Sequence, residues 1–175
     1  MDNVQKEKRK PYLLALAFIV SLIILDQVTK WLIVGLMDLG QSEMVIPSLL
    51  YITSHRNTGA AWGMFAGEMV FFSIITVIAL GLFIFIGKDI DFKNKKFFSY
   101  AIVLLIAGTI GNFIDRISLG YVIDFIDVYI FSYDFPIFNV ADMCLTIGMV
   151  FLGIDILLLE PKRKEAYDAN KDIYD

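Results

Sequence analysis

Cysteine and histidine are almost absent from this 175-residue sequence, which contains only Cys144 and His55. A single cysteine excludes a disulfide within the chain, and a single histidine excludes a histidine-rich metal site. Basic residues are also in deficit, since the net charge is -4. The chain therefore lacks the positive surface with which proteins bind nucleic-acid phosphates. We expect no metal, no cofactor and no nucleic-acid partner.

Charged residues of either sign are scarce. They make up 19% of the sequence, whereas soluble domains contain about 25% charged residues. Apolar residues make up 58%, against about 45–50% in soluble domains. The mean hydropathy is +0.69. This composition excludes an ordinary soluble domain and a disordered chain, and it predicts a small integral membrane protein with a single domain.

Four apolar stretches are long enough to cross a bilayer, which takes about 20 residues in a helix. We predict transmembrane helices at about residues 12–36, 69–87, 97–115 and 137–159. The basic stretch before the first apolar run imitates a signal peptide, but no small-residue cleavage site follows it. We interpret it as the start of an uncleaved first helix within a membrane domain that covers residues 1–160.

The basic residues predict the orientation. Residues 6–10, 88–96 and 162–171 contain 12 of the 15 lysines and arginines. The positive-inside rule places all three segments in the cytoplasm, so both termini are cytoplasmic and the protein is multi-pass. Residues 161–175 are predicted to be a cytoplasmic tail, charged and disordered.

The outer segments, about 37–68 and 116–136, are more than simple loops. Val45–Ser54 and Tyr121–Phe131 are rich in β-branched and aromatic residues, which favours short strands. The apolar run between Ala60 and Phe65 is typical of a short helix in the membrane interface. We expect a small outer subdomain that rests on the helix ends.

Polar residues inside membrane spans are costly and call for an explanation. At a rise of about 1.5 Å per residue, Asp26, Asn112 and Asp142 lie about 21, about 22 and about 25 Å from the inner face. Three helices thus bring polar groups to nearly the same depth, which a shared site explains most simply. Asp124, between apolar residues in the second outer segment, lies close to that depth.

Spacing along the helices links these residues to others. Asp26 and Lys30 are i,i+4 and predict a structural ion pair, and Asn112 and Arg116 have the same spacing on the third helix. Asn139 and Asp142 are i,i+3, so they share one helix face.

The residue types limit the chemistry. The sequence has no Gly-x-Ser-x-Gly elbow and no His-Glu-x-x-His pair. Cys144 has no histidine to activate it and is interpreted as a packing residue, and His55 is interpreted as a loop residue. Two aspartates in a low-dielectric setting share one proton and can hydrolyse an amide as a base and an acid. These features leave two hypotheses open, an intramembrane aspartyl hydrolase and a small transporter, channel or binding subunit.

Five segments of the sequence match one known family. They are Asp26–Lys30, Asn57–Trp62, Gly111–Arg116, Val122–Phe125 and Phe138–Asp142. With these motifs in this order among four spans, the sequence resembles the bacterial lipoprotein signal peptidases (signal peptidase II). The resemblance covers the chain from the first predicted helix to the fourth.

The resemblance implies an all-α integral membrane protein with four transmembrane helices, a small extracytoplasmic β-cradle and a short interfacial helix. It implies an aspartyl peptidase of the bacterial cytoplasmic membrane, with its site near the outer leaflet. The substrate is a diacylglyceryl-modified prolipoprotein, cut N-terminal to the lipidated cysteine. Cyclic peptides such as globomycin inhibit such enzymes, and we expect a monomer in contact with membrane lipid.

The resemblance also implies roles for individual residues. The catalytic aspartates are Asp124 and Asp142. The substrate-binding residues are Asn57, Gly59, Asn112, Arg116 and Asn139, and the supporting residues are Asp26, Lys30, Asp115 and Ala141. Asp115 is a rival to Asp124, although an ion pair with Arg116 offers a structural explanation for it. Asp127 is interpreted as solvated or structural.

Overall fold

The computed structural model describes residues 3–59, 69–130 and 133–174. The predicted interfacial helix at Ala60–Phe65 lies outside these residues. The described elements follow the order α1 (Asn3–Leu36), β1 (Ser42–Ile46), β2 (Leu50–Asn57), α2 (Met69–Ile86), α3 (Lys96–Leu119), β3 (Val122–Ile130), β4 (Tyr133–Asp134), α4 (Val140–Ile154) and α5 (Glu160–Tyr174). A short 3-10 turn, Gly87–Asp89, follows α2, and a π-helical segment, Asp155–Leu159, joins α4 to α5.

Within the described residues, four helices are long and apolar enough to cross a membrane: Arg9–Leu36, Val70–Asp89, Lys96–Leu119 and Val140–Ala169. The predicted fold class, a helical membrane protein with four spans and a small antiparallel sheet, is confirmed. Protein surrounds the third helix most completely, since 61% of its apolar window is buried against 11–17% for the others. α3 is therefore the central helix, on which α1, α2 and α4 pack.

Small residues on α3 and α4 allow the central packing to be close. A Cβ at Gly148 of α4 would lie 2.9 Å from Leu105 Cγ on α3. Gly108 of α3 lies against the backbone of Ala141 and the side chain of Leu145 on α4. Because larger residues would push the two helices apart, these positions set the distance at which polar groups on α3 and α4 can meet.

The outer segments form an antiparallel sheet in the order β1-β2-β3-β4. The run Val45–Ser54, predicted as strand-like, contains a hairpin turn, in which Ser48 has a positive φ of 58°. β2 pairs with β3 so that His55 lies opposite Asp124 and Asn57 lies opposite Val122. The interpretation of His55 as a loop residue is therefore wrong, although its side chain is exposed.

The predicted disorder of the tail is also wrong, because Glu160–Tyr174 is helical. Charge keeps this segment from entering a bilayer but does not prevent a helix, since glutamate, lysine, arginine and alanine all have high helix propensity. An i,i+4 ion pair of 3.0 Å between Lys164 Nζ and Glu160 Oε1 supports the first turns. Charged residues with high helix propensity also precede the first apolar run, and α1 accordingly begins at Asn3 and includes Pro11.

Candidate active site

A buried lysine marks the place where α1 meets α3. Lys30 is only 1% exposed, and its Nζ lies 2.9 Å from Asp26 Oδ2 and 3.0 Å from Asp115 Oδ2. Nζ also donates to Asn112 Oδ1 over 3.0 Å. A buried cation is stable only when it is paired and hydrogen-bonded, and all three donors of this ammonium have acceptors.

This cluster confirms the predicted pair of Asp26 with Lys30 and corrects the prediction for Asp115. The predicted ion pair of Asp115 with Arg116 is wrong, because Asp115 binds Lys30 instead. Consecutive residues point about 100° apart around a helix. Asp115 consequently faces α1, while Arg116 lines a cavity and places its guanidinium 5.3 Å from the centre of the Phe72 ring.

Gln27 belongs to the same cluster, although sequence analysis assigned it no role. Its Nε2 donates to Asp26 Oδ2 over 3.1 Å, to Asp115 Oδ1 over 3.0 Å and to Gly111 O over 3.1 Å. Its position inside the matched segment Asp26–Lys30 was the only available signal. The side chain holds the two carboxylates of the cluster in place.

The N-terminus of α4 is fixed by side chains from two elements. Asn139 Oδ1 accepts the Asp142 N–H over 3.0 Å, and Asp142 Oδ2 accepts the Asn139 N–H over 3.2 Å, which together make a capping box. Asp26 Oδ1 on α1 accepts the Ala141 N–H over 2.9 Å. The N–H groups of Asn139, Ala141 and Asp142 at this helix end thereby have acceptors, and Asp142 is held at the third helical position.

Asp124 reaches the same region from β3. Its Oδ1 accepts from Asn139 Nδ2 over 2.7 Å, and its Oδ2 accepts from Asn57 Nδ2 over 2.9 Å. Asp115 Oδ2 accepts the Ile123 N–H over 3.1 Å and so ties the start of this strand to α3. Asp115 thus anchors the strand that carries Asp124.

The two aspartates line one cavity of about 570 Å³. Asn57, Gly59, Asn112 and Arg116 share its polar part with them. The rest of the wall is mainly apolar and consists of Val122, Phe135, Pro136, Ile137, Phe138, Met143, Leu145, Thr146 and Ile147. The sequence motifs did not include Phe135, Pro136 or Ile137, and their position in the wall depends on contacts with elements that are distant in the chain.

Asp142 is connected to the lysine cluster by one amide. Asn112 Nδ2 donates to Asp142 Oδ1 over 2.7 Å, while Asn112 Oδ1 accepts from Lys30. Asn139 Nδ2 also donates to Asn112 Oδ1 over 3.1 Å. All eleven residues predicted for the site therefore lie in one connected region, with Ala141 taking part through its backbone N–H.

The surroundings of Asp124 change its acidity. The residue is 1% exposed. Burial, and after it the negative charge of Asp142, raises the pKa of Asp124 from 3.8 to about 7, although hydrogen bonds from Asn57 and Asn139 oppose the change. A raised carboxyl pKa beside a second carboxylate is the pattern of an acid–base pair.

Two other residues considered in the sequence do not line the cavity. Asp127 is 5% exposed, and its Oδ2 accepts from Thr53 Oγ1 over 2.6 Å, so it is structural and not solvated. Cys144 is buried, in agreement with a packing role.

Comparison with known proteins places this geometry in a family. A family model described as signal peptidase (SPase) II matches residues 18–158. The chain belongs to the signal peptidase II family. This confirms the resemblance inferred from the five motifs.

Two relatives in this family are named lipoprotein signal peptidase. The protein of Staphylococcus carnosus (strain TM300) is 50% identical over 158 residues, which cover 89% of this chain and 99% of that protein. The protein of Staphylococcus aureus (strain JH9) is 50% identical over 159 residues, which cover 89% of this chain and 96% of that protein.

Two solved structures show the same fold. One is described as a bacterial membrane enzyme determined by the in meso method at 2.3 Å resolution; it is 51% identical, with a TM-score of 0.76 over 82% of this chain and 87% of that one. The other, determined by the same method at 1.9 Å, is 50% identical, with a TM-score of 0.74 over 83% and 93% of the two chains.

Proposed function

We propose that this signal peptidase II is an aspartyl endopeptidase that removes the signal peptide from diacylglyceryl-modified prolipoproteins. The cut falls on the N-terminal side of the lipidated cysteine. One observation carries the proposal: Asp124 of β3 and Asp142 of α4 open into the same cavity, each held by asparagine amides.

The two aspartates supply the chemistry for hydrolysis by water. An ionised carboxylate takes a proton from the attacking water, and a protonated carboxyl gives its proton to the peptide as the bond is cleaved. The acid task is possible near neutral pH because the pKa of Asp124 is about 7, so this carboxyl can hold a proton there.

The cavity suits a substrate that is part peptide and part lipid. Its apolar wall can hold acyl chains and the apolar side chains that precede the cut, while its polar end receives the scissile peptide. Arg116 and Gly59 face that end and are proposed to bind the substrate backbone. Asn57, Asn112 and Asn139 hold the aspartates and lie within reach of the same backbone.

The proposal includes a location. We propose that the protein lies in the bacterial cytoplasmic membrane as a monomer. Both termini are placed in the cytoplasm because 12 of the 15 basic residues are then on the inner side. The cavity then faces the outer leaflet, at the end of α1 that is opposite to the basic residues. A lipid-anchored substrate can reach such a site by diffusion in the membrane.

Purified full-length protein in lipid nanodiscs tests this function. We expect a diacylglyceryl-modified prolipoprotein to be shortened on a gel, with mass spectrometry showing the lipidated cysteine as the new N-terminus. The unlipidated precursor should be cut poorly, and globomycin should block the reaction. Solute flux in proteoliposomes without any proteolysis would instead favour the transporter hypothesis.

A further inference from the structure

The three amides around the aspartates have fixed orientations. Asn57 Oδ1 accepts the Gly59 N–H over 2.9 Å, and Asn139 Oδ1 accepts the Asp142 N–H over 3.0 Å. Asn112 Oδ1 accepts from the ammonium of Lys30 over 3.0 Å. Backbone N–H and ammonium groups can only donate, so each amide must turn its oxygen toward them and its NH₂ toward an aspartate.

The amides that donate to the two aspartates differ in the charge of the group bound to their oxygens. Asp124 receives hydrogen bonds from Asn57 and Asn139, whose oxygens accept backbone N–H groups and, among the residues that the structure describes, contact no cation. Asp142 receives one from Asn112, whose oxygen is bound to the buried cation Lys30. A cation on the amide oxygen polarises the amide and strengthens its N–H donor.

The helix end adds to this difference. Asp142 is the third residue of α4, and its Oδ2 accepts a backbone N–H at the N-terminus of that helix. The N-terminal end of a helix carries a partial positive charge that stabilises an anion within its first turn. Asp124 lies in a strand, which offers no comparable field.

We propose that Lys30 is a positioning residue of the catalytic pair, which acts through Asn112 to keep the negative charge on Asp142 and the shared proton on Asp124. This inference rests on the proposed function. It assigns an electrostatic role to a residue that otherwise only joins α1 to α3.

The charges around the pair agree with one shared proton. Lys30 on α1 and Arg116 on α3 act on Asp142, and the pair itself includes Asp124 on β3. The carboxylates of Asp26 on α1 and Asp115 on α3 lie against Lys30. Four carboxylates, including Asp142, thus meet two cations in a buried region. Holding one proton reduces the uncompensated negative charge, which is costly away from water.

The assignment defines each step of hydrolysis. Asp142 takes a proton from water while the water oxygen bonds to the peptide carbon, and Asp124 gives its proton to the carbonyl oxygen. When the tetrahedral intermediate collapses, the C–N bond breaks and Asp142 gives its proton to the leaving nitrogen. Asp124 regains a proton from the hydroxyl that becomes the new carboxyl group, so both residues return to their first state.

The pH dependence of cleavage of the lipidated substrate tests the role of Lys30. On the acidic side of the pH–activity profile, activity falls because Asp142 becomes protonated. Removal of the Lys30 cation should move this acidic limb of the profile toward neutral pH. We expect Lys30→Met to move it by about one pH unit, a tenfold change in proton concentration. Lys30→Arg, which keeps a cationic donor, should leave the limb close to that of the wild type.

A second variant keeps the test valid if Lys30→Met does not fold. Asn112→Leu removes the connection but leaves Lys30 paired with Asp26 and Asp115, and it should move the acidic limb in the same direction. Lys164→Met removes an exposed cation paired with Glu160 and serves as the matched control, with no expected movement.

The role of Lys30 is overturned if the acidic limb stays in place in folded Asn112→Leu, whether or not Lys30→Met can be purified. A purely structural role would lower the yield and melting temperature of these variants without moving the limb. A wild-type protein that cleaves no lipidated substrate at any pH would count against the proposed function instead.

Discussion

Asn139 and Asp142 cap the N-terminus of α4 by exchanging hydrogen bonds, and the same Asn139 donates to the second aspartate of the site. Its Oδ1 accepts the Asp142 N–H over 3.0 Å, and its Nδ2 lies 2.7 Å from Asp124 Oδ1. One side chain therefore couples the start of a membrane helix to the strand that faces it. Fold stability and the geometry of the candidate site both depend on this residue.

Two substitutions of Asn139 separate these roles. Asn139→Ala removes the cap and the donor, so it should lower the free energy of unfolding by about 1 kcal/mol or more and abolish cleavage. Asn139→Asp keeps an oxygen that can cap the helix. It replaces the NH₂ donor to Asp124 with a carboxylate, so that the site holds three carboxyl groups in place of two. It should melt closer to the wild type and still be inactive, as thermal unfolding and a cleavage assay would show. Full activity of Asn139→Asp would refute this division of roles.

Gly111 allows α3 to approach α1 and α4. A Cβ at this position would lie 2.7 Å from Asp26 Oδ2 and 3.1 Å from the Ala141 Cβ. We expect Gly111→Ala to reduce stability by about 1–3 kcal/mol, a typical cost of overpacking, and to reduce activity by displacing the lysine cluster.

Gly81 of α2 provides the matched control. A Cβ at Gly81 would meet nothing within 4 Å. Gly81→Ala should therefore have a melting temperature in detergent equal to or above that of the wild type. Equal melting temperatures for Gly111→Ala and Gly81→Ala would contradict the close approach described here.

The raised pKa of Asp124 predicts how stability depends on pH. The folded protein holds this proton up to about pH 7, whereas the unfolded chain releases it near 3.8. The folded state therefore binds more protons between these values, so this carboxyl makes the protein less stable as pH rises from about 4 to about 7. Asp124→Asn should remove that contribution, and its melting temperature should vary less with pH over this range. A melting temperature that depends on pH as strongly in Asp124→Asn as in the wild type would exclude this origin.

Much of the fold could be predicted from the sequence because the bilayer requires long apolar helices. The four spans and the strand-like outer segments were recognisable from composition alone. The helical tail was missed because charge indicates exclusion from the membrane, which is a different property from disorder. The position of Asp115 was missed because i,i+1 neighbours on a helix do not face each other, so Arg116 could not be its partner.

The meeting of Asp26, Asn112 and Asp142 was predictable from their depth, since a membrane gives each residue a coordinate along one axis. Depth does not show which side chains face each other in the plane of the membrane, so the individual contacts were not predictable. Nothing in the sequence showed that Asn112 connects Lys30 to Asp142, or that Gln27 binds both carboxylates of the lysine cluster. The pairing of Asp124 with Asp142 followed from the family resemblance and not from spacing.

The central claim is that Asp124 and Asp142 act together on one water molecule. Cleavage of a diacylglyceryl-modified prolipoprotein by Asp124→Asn, Asp142→Asn and Asp127→Asn, measured in nanodiscs, tests it most directly. Asp127 is a buried aspartate of the same strand outside the cavity, so its variant controls for the loss of a buried charge. The account predicts a folded protein in all three cases, cleavage by Asp127→Asn, and a loss of at least about 10³-fold in each of the other two, of the order seen when a catalytic group is removed. Cleavage at the wild-type rate by either Asp124→Asn or Asp142→Asn would contradict it.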